Sequence, residues 1–230
     1  IGDADILRAS GIEVIHRLNG VGRNLQDHAS CIIYTKSKSR LPYGISLPVV
    51  PKLAWWVVDY VIRRKGLLAS NIFESGGFYK TDSQLRRPDI QHIFMPAYRQ
   101  KPPNMLAFGH GYSLNVILLR PESRGYIRVK SSDPNLPPEI NLNMLSVDKD
   151  LETLALGLKE GRRVLTTSLF KKLGAQEFRP GPQVENINDW KEYARMNAQT
   201  AYHPVGTCKM GIDNFAVVNQ RLKVPFSPNH

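Results

Sequence analysis

Near the end of the chain stands the stretch TAYHPVGTCKMG, Thr200 to Gly211. It sets one imidazole between an aromatic residue and a proline. Histidine is the side chain whose proton moves near neutral pH, and a positioned imidazole is suited to general acid–base work. Proline fixes its own φ and restricts the residue before it, so His203 is expected in extended backbone ahead of a loop containing Gly206. A loop histidine is more commonly a surface or packing residue, and these residues alone leave both readings open. Cys208 follows five residues later. One histidine and one cysteine fall short of a zinc site, which needs about four ligands, and no metal centre is expected. A Cys/His nucleophile pair has no supporting context, so Cys208 reads as a packed, reduced thiol.

A second group lies in NGVGRNLQDH, Asn19 to His28. It has G-x-G at Gly20 and Gly22, but Leu25 stands where a dinucleotide fingerprint needs its third glycine. A phosphate-binding turn is therefore not established. For Asp27 and His28, capping and loop hydrogen bonding compete with a role at a site.

The chain has 230 residues, with 31 Lys and Arg against 20 Asp and Glu, a net charge of +11. A basic balance raises nucleic acid or anionic membrane as partners. The cations are scattered and accompany no nucleic-acid motif, so no nucleic-acid partner is expected. Two distant cysteines, Cys31 and Cys208, make no disulfide framework and fit a reducing, cytoplasmic compartment. The longest apolar run, Leu53 to Ile62, contains Asp59. It is far short of the roughly 20 residues that span a bilayer.

Several elements must position these groups. Asp3 caps a short helix through Arg8, which Gly11 ends; the IEVI of Ile12–Ile15 reads as a strand, as does Ser30–Ser37. Residues 51–66 read as a helix opened by Pro51 and stopped by Gly66, either packing on a core or lying at a membrane surface or substrate channel. Four strand-like runs follow, at 71–81, 89–98, 111–120 and 125–132, with Pro102–Pro103 marking one of the turns between them. Short links between consecutive strands imply an antiparallel sheet. Leu151, Leu154, Ala155, Leu158 and Leu165 then recur at helical spacing behind Ser146 as a cap. A helical run to Gly174, a PGP loop at 180–182 and a helix bearing Trp190, Tyr193 and Ala194 on one face complete an α+β layout.

Five blocks in order, IGDADILRASGIEVIHRLNGVGRNLQDH, SNIFESGGF, LLRPESRGYIRVKSSDP, TAYHPVGTCKMG and AVVNQRLKV, resemble the glucose–methanol–choline oxidoreductases, FAD-dependent alcohol oxidases and dehydrogenases. The resemblance runs from residue 1 to about residue 224. It implies an antiparallel-sheet substrate-binding domain with flanking helices over 30–185. Partial pieces of an FAD-binding α/β domain are implied at both ends, over 1–29 and 186–230. It also implies an internal piece of a longer enzyme that carries its glycine fingerprint elsewhere.

The implied reaction oxidises a primary alcohol to an aldehyde. Hydride passes to flavin N5, and oxygen or a quinone accepts the electrons afterwards. His203 matches the family's catalytic histidine. Asn24 and Asp27 fall in a block placed near the flavin, and Pro204, Val205, Gly206 and Thr207 shape the wall beside it. Glu74 matches a position facing the substrate pocket, where a buried carboxylate holds a cationic head or satisfies backbone groups. Asn115 stands where choline-oxidising members carry histidine. It hydrogen-bonds but cannot titrate, which weighs against choline and favours a neutral primary alcohol, aliphatic or aromatic. Asn219 stands where many members carry Asp. The competing expectation is a catalytically inactive, truncated substrate domain with a structural or interaction role.

Overall fold

The computed structural model describes residues 1–98 and 108–225. Its elements run α1 (Ala4–Ala9), β1 (Ala29–Ser37), β2 (Gly44–Ile45), α2 (Val50–Arg63), β3 (Ser75–Tyr79), β4 (Ile90–Met95), β5 (Gly109–Leu118), β6 (Tyr126–Arg128), β7 (Glu139–Asn141), α3 (Asp148–Leu165), α4 (Ser168–Lys172), β8 (Ala175–Arg179) and α5 (Ile187–Asn197). They fall into two compact units. One comprises Ile1–His28, Pro121–Asp148 and Thr200–His230, the other Ala29–Arg120 and Lys149–Gln199. The first unit thus takes in 121–148, which the sequence reading assigned to the substrate domain.

The second unit is an antiparallel sheet ordered β3-β4-β5-β1-β8, with β2 added to β5. Helix α3 covers one face. Its residues Leu151, Leu154, Ala155, Leu158 and Leu165 are all buried, as their spacing predicts. The contact is closest at Gly157 and Gly161, one helical turn apart. A Cβ on Gly157 would lie 2.8 Å from Ile90 Cδ1, and one on Gly161 2.9 Å from Leu114 Cδ2. Glycine costs a helix interior roughly 1 kcal/mol relative to alanine. Here it lets the helix axis come down onto Ile33, Ile90, Leu114 and Val116. Buried His92 on β4 donates from Nε2 to the Gly157 carbonyl at 3.0 Å, and burial holds its pKa below the ordinary value. Its ring is therefore neutral near pH 7.

Strand β8 is absent from the sequence reading. Its AQEFR is short and half polar, so no apolar alternation betrays it. Tertiary pairing makes it a strand, through β1, with a register shift between Tyr34 and Thr35. Glu177 on β8 receives both Nε and Nη2 of Arg162 on α3, at 2.9 and 2.6 Å. That guanidinium lies 4.1 Å above the ring of Trp190 on α5. One cation thus ties two helices to the sheet edge. The capping box between Asn186 and Asp189 starts α5, and Trp190 and Ala194 are its buried side.

Three local expectations are corrected. Ile12–Ile15 alternates in burial but is not a strand: the nearby bridge, Gly2 to Arg17, is isolated, and one bridge is not a ladder. Helix α2 ends at Arg63 with Arg64 in the left-handed region (φ 54°), ahead of Gly66. The run at 125–132 does not join the large sheet, because β6 pairs with β7 in a separate two-stranded ribbon of the first unit. The Pro102–Pro103 turn lies outside the described residues. Asp3 caps α1 as expected and also takes Arg23 Nη2 at 2.7 Å, which holds its carboxyl below the usual range.

Gly157→Val inserts three carbons where even a Cβ is too close. We expect a loss of about 1–3 kcal/mol, read as a thermal midpoint lowered by several degrees. An unchanged midpoint would mean that α3 can lift from the sheet freely.

Candidate active site

The first unit builds the loop that carries His203. Segment 22–28 runs extended through its middle. On one side the Leu25 N–H donates to the Gly125 carbonyl at 3.0 Å, and Gly125 returns the bond at 2.8 Å. On the other side Gln26 and Val205 exchange two backbone bonds at 2.9 and 2.8 Å. The Gly22 N–H donates to Thr207, and the Ala201 N–H to the His28 carbonyl. Leu25, only 2% exposed, is the apolar pin of this layer.

Asp27 is the buried carboxylate of the segment. One oxygen accepts the backbone N–H of His203 at 3.0 Å, and the other accepts the Thr200 hydroxyl. Thr200 Oγ1 in turn accepts the Tyr202 N–H at 2.8 Å. Tyr202 stands at φ 64°, a left-handed conformation uncommon for an aromatic residue. The turn before the imidazole is therefore set by Tyr202 and by the Asp27–Thr200 pair as well as by Pro204. His203 itself is exposed, and the His28 ring meets it edge-on with centroids 5.5 Å apart.

Asn24 works in the same way. Its Nδ2 donates to the Gly206 carbonyl at 3.2 Å, and its Oδ1 accepts Arg124 Nε at 3.1 Å. Gly206 has φ 99°, and a Cβ there would lie 2.3 Å from the Asn24 carbonyl oxygen. Only glycine suits this position. The polar atoms of Asn24 and Asp27 are thus spent on holding the loop. The loop turns His203, Pro204 and Val205 outward, with Tyr202 beside them, and Cys208, expected as a packed thiol, is exposed as well.

The G-x-G at Gly20 and Gly22 has a different use from phosphate binding. A Cβ on Gly20 would stand 1.9 Å from the Phe215 carbonyl oxygen, and one on Gly22 2.0 Å from that of Ile127. These glycines let chain segments pass one another.

Glu74 and Asn115 belong to the other unit. Glu74 is exposed and not the buried carboxylate expected, because it precedes β3 at the sheet edge; its Oε1 accepts the Tyr43 hydroxyl at 2.9 Å. Burial, then the Glu74 carboxylate, raises the Tyr43 pKa, so the phenol stays protonated. Asn115 sits mid-sheet on β5, opposite Ile32 on β1 and Ile93 on β4. Its neighbours Leu114 and Val116 face α3, so Asn115 faces the other side. Its Oδ1 is buried without a hydrogen-bond partner. An orphaned acceptor of this kind calls for a donor.

Sequence reasoning missed Thr200, Tyr202, Tyr43 and Arg124. The threonine carried a weak signal, a hydroxyl two residues before the N–H that it accepts. Arg124 carried none, being 100 positions from Asn24.

Residues 121–226 match the family model described as GMC oxidoreductase. Over 224 residues the chain is 38% identical to an alcohol dehydrogenase [acceptor] of Pseudomonas putida, covering 97% of this chain and 41% of that protein. It is 33% identical over 229 residues to an oxygen-dependent choline dehydrogenase of Cronobacter sakazakii, covering 97% and 40%. Among solved structures, an Aspergillus oryzae formate oxidase superposes with a TM-score of 0.86 at 24% identity, over 97% of this chain and 44% of that one. The chain spans about two fifths of the length of the curated relatives it matches. Its antiparallel sheet with flanking helices is the fold of these neighbours, and residues 121–226 carry the sequence pattern of the GMC oxidoreductase family model.

Proposed function

We propose that this chain provides the catalytic loop and the substrate-side sheet for FAD-dependent oxidation of a neutral primary alcohol to an aldehyde. The observation that carries the reading is His203: an exposed imidazole whose own backbone N–H is anchored on the buried carboxylate of Asp27. The name of the Pseudomonas putida relative, an alcohol dehydrogenase, supports the reaction class.

The fit of the chain to a flavin is partial. Pro204 and Val205 are exposed and apolar, beside an imidazole, and suit the edge of a flat ring. His203, Pro204, Val205 and Gly206 would border it, while Asn24, Asp27 and Thr207 hold those residues from behind. The diphosphate finds no cradle in the glycines of residues 20–22, which are filled by the chain's own carbonyls. Bound FAD supplies the acceptor for the two electrons that leave the alcohol carbon as hydride. The hydroxyl proton leaves as well, since a neutral alcohol is a poor hydride donor, and His203 takes it. The Asp27 anchor fixes where the ring stands as it does so, and reacting groups lose orders of magnitude in rate when misplaced by about 1 Å. Asn115 and Glu74 are proposed on the substrate side. Asn115 offers an unpaired acceptor to a hydroxyl and stays neutral at all working pH values. That supports a neutral alcohol over a quaternary ammonium one. Oxygen or a quinone is the proposed final acceptor.

In the full-length protein, His203→Ala is expected to cut kcat by about two to four orders of magnitude with flavin content near wild type. Unchanged turnover at saturating alcohol would reject the assignment. Asp27→Ala removes two hydrogen-bond acceptors and should lower kcat by about ten- to a hundredfold, with Asp27→Asn recovering most of it. Equal kcat in wild type and the alanine variant would limit Asp27 to stability. The 230 residues alone should purify without FAD, because the diphosphate is normally held by a glycine-rich turn at a helix N-terminus. A yellow protein with stoichiometric flavin would show that the cradle has been misread.

A further inference from the structure

Helix α2 is amphipathic in the wrong direction for a surface helix. A surface helix turns charge outward and apolar residues inward. On α2, Val50, Trp55, Val57, Val58, Val61 and Ile62 are exposed, Ile62 at 73% and Trp55 at 57%. At 3.6 residues per turn they share an arc about 160° wide. The sole carboxylate of the helix, Asp59, is buried and paired with Arg63 at 3.0 Å. Trp56 and Tyr60 face partly inward, beneath Lys52 and Arg64 respectively, with cation-to-ring distances of 5.1 and 5.2 Å. The outward arc carries no charge.

Cations border that arc. Lys52 and Arg63 lie along its flank, and Arg64 and Lys65 follow at its C-terminal end, all exposed. Exposed Lys38 and Arg40 precede the helix, as do Leu41 and Leu47, exposed at 76% and 81%. Fourteen residues cannot cross a bilayer, and among the described residues no helix is long and apolar enough to do so. An apolar stripe with an aromatic residue and a basic flank is instead the pattern of a helix lying in the headgroup layer, with its long cationic side chains reaching up to the phosphates.

We propose that α2 docks this protein on an anionic lipid surface, its outward arc sunk at the boundary of headgroups and acyl chains. Charge complementarity selects this occupant. A second copy of the helix would bring only more cations to the same border, for α2 has no exposed acid of its own. Anionic headgroups supply the missing negative charge. The proposal does not rest on the reaction assigned to His203.

The test is co-sedimentation of the full-length protein with phosphatidylcholine vesicles, with and without phosphatidylserine, using two variants. Wild type should bind the phosphatidylserine vesicles, less so as salt rises. Val57→Glu/Val61→Glu should weaken binding by about tenfold or more. Arg64→Ser/Lys65→Ser should weaken it by about thirtyfold, while alcohol turnover in detergent-free buffer stays at wild-type level for both. All four positions are exposed, and the thermal midpoint checks that the fold is intact. The proposal is overturned if wild type ignores anionic vesicles, or if both folded variants bind as wild type does. It is also overturned if light scattering shows a dimer that Val57→Glu/Val61→Glu splits, which would assign the arc to a second copy.

Discussion

A buried carboxylate governs the first unit. Asp27 cannot be taken out of water without partners, since an uncompensated buried charge costs several kcal/mol. Its partners are the Thr200 hydroxyl and the His203 N–H, about 175 positions away in sequence. The loop and the segment that supports it are thus obligatory to each other. Around this clamp the remaining contacts fall into line: Gln26 with Val205, Gly22 with Thr207, and Asn24 with Gly206. The imidazole is the end product of this arrangement. The anchoring bond is made by its backbone N–H, which leaves the exposed ring outside the clamp.

The second unit depends on a different constraint, the close seat of α3 on the sheet. Gly157 and Gly161 bring the helix down on one face, and Leu114 and Val116 fill that face. By the two-residue period of a strand, Asn115 must then look the other way. An amide in the middle of a sheet is costly unless something bonds to it, and the oxygen of Asn115 is buried there without a partner. The packing of one face therefore determines which residues the other face offers.

Much of the fold was legible in the sequence because periodicity is local. The leucine spacing of α3, the Asp3 cap of α1 and the strand-like runs that became β1, β4 and β5 each rest on residues within one element. Strand β8 was not legible: AQEFR becomes a strand because β1 offers it a ladder. Nor was the destination of β6, which reads as a strand from its own residues but whose partner, β7, lies in the other unit from the large sheet. Local pattern says that a segment is extended. It does not say which edge will receive it.

The same division runs through the site. Residue types alone marked His203, Pro204 and Gly206, since an imidazole before a proline and a glycine at a forced turn have local causes; family resemblance added Asn24 and Asp27. What those two do was decided by tertiary structure. Both were expected beside a cofactor, yet the polar atoms of each are taken up by the loop they support. Glu74 was expected buried and stands exposed beside Tyr43. A sequence carries the chemical capacity of a carboxylate or an amide. Only the folded chain determines which donor reaches it first, because hydrogen bonds are satisfied by proximity in space, and proximity between residues 27 and 203 has no trace in local sequence.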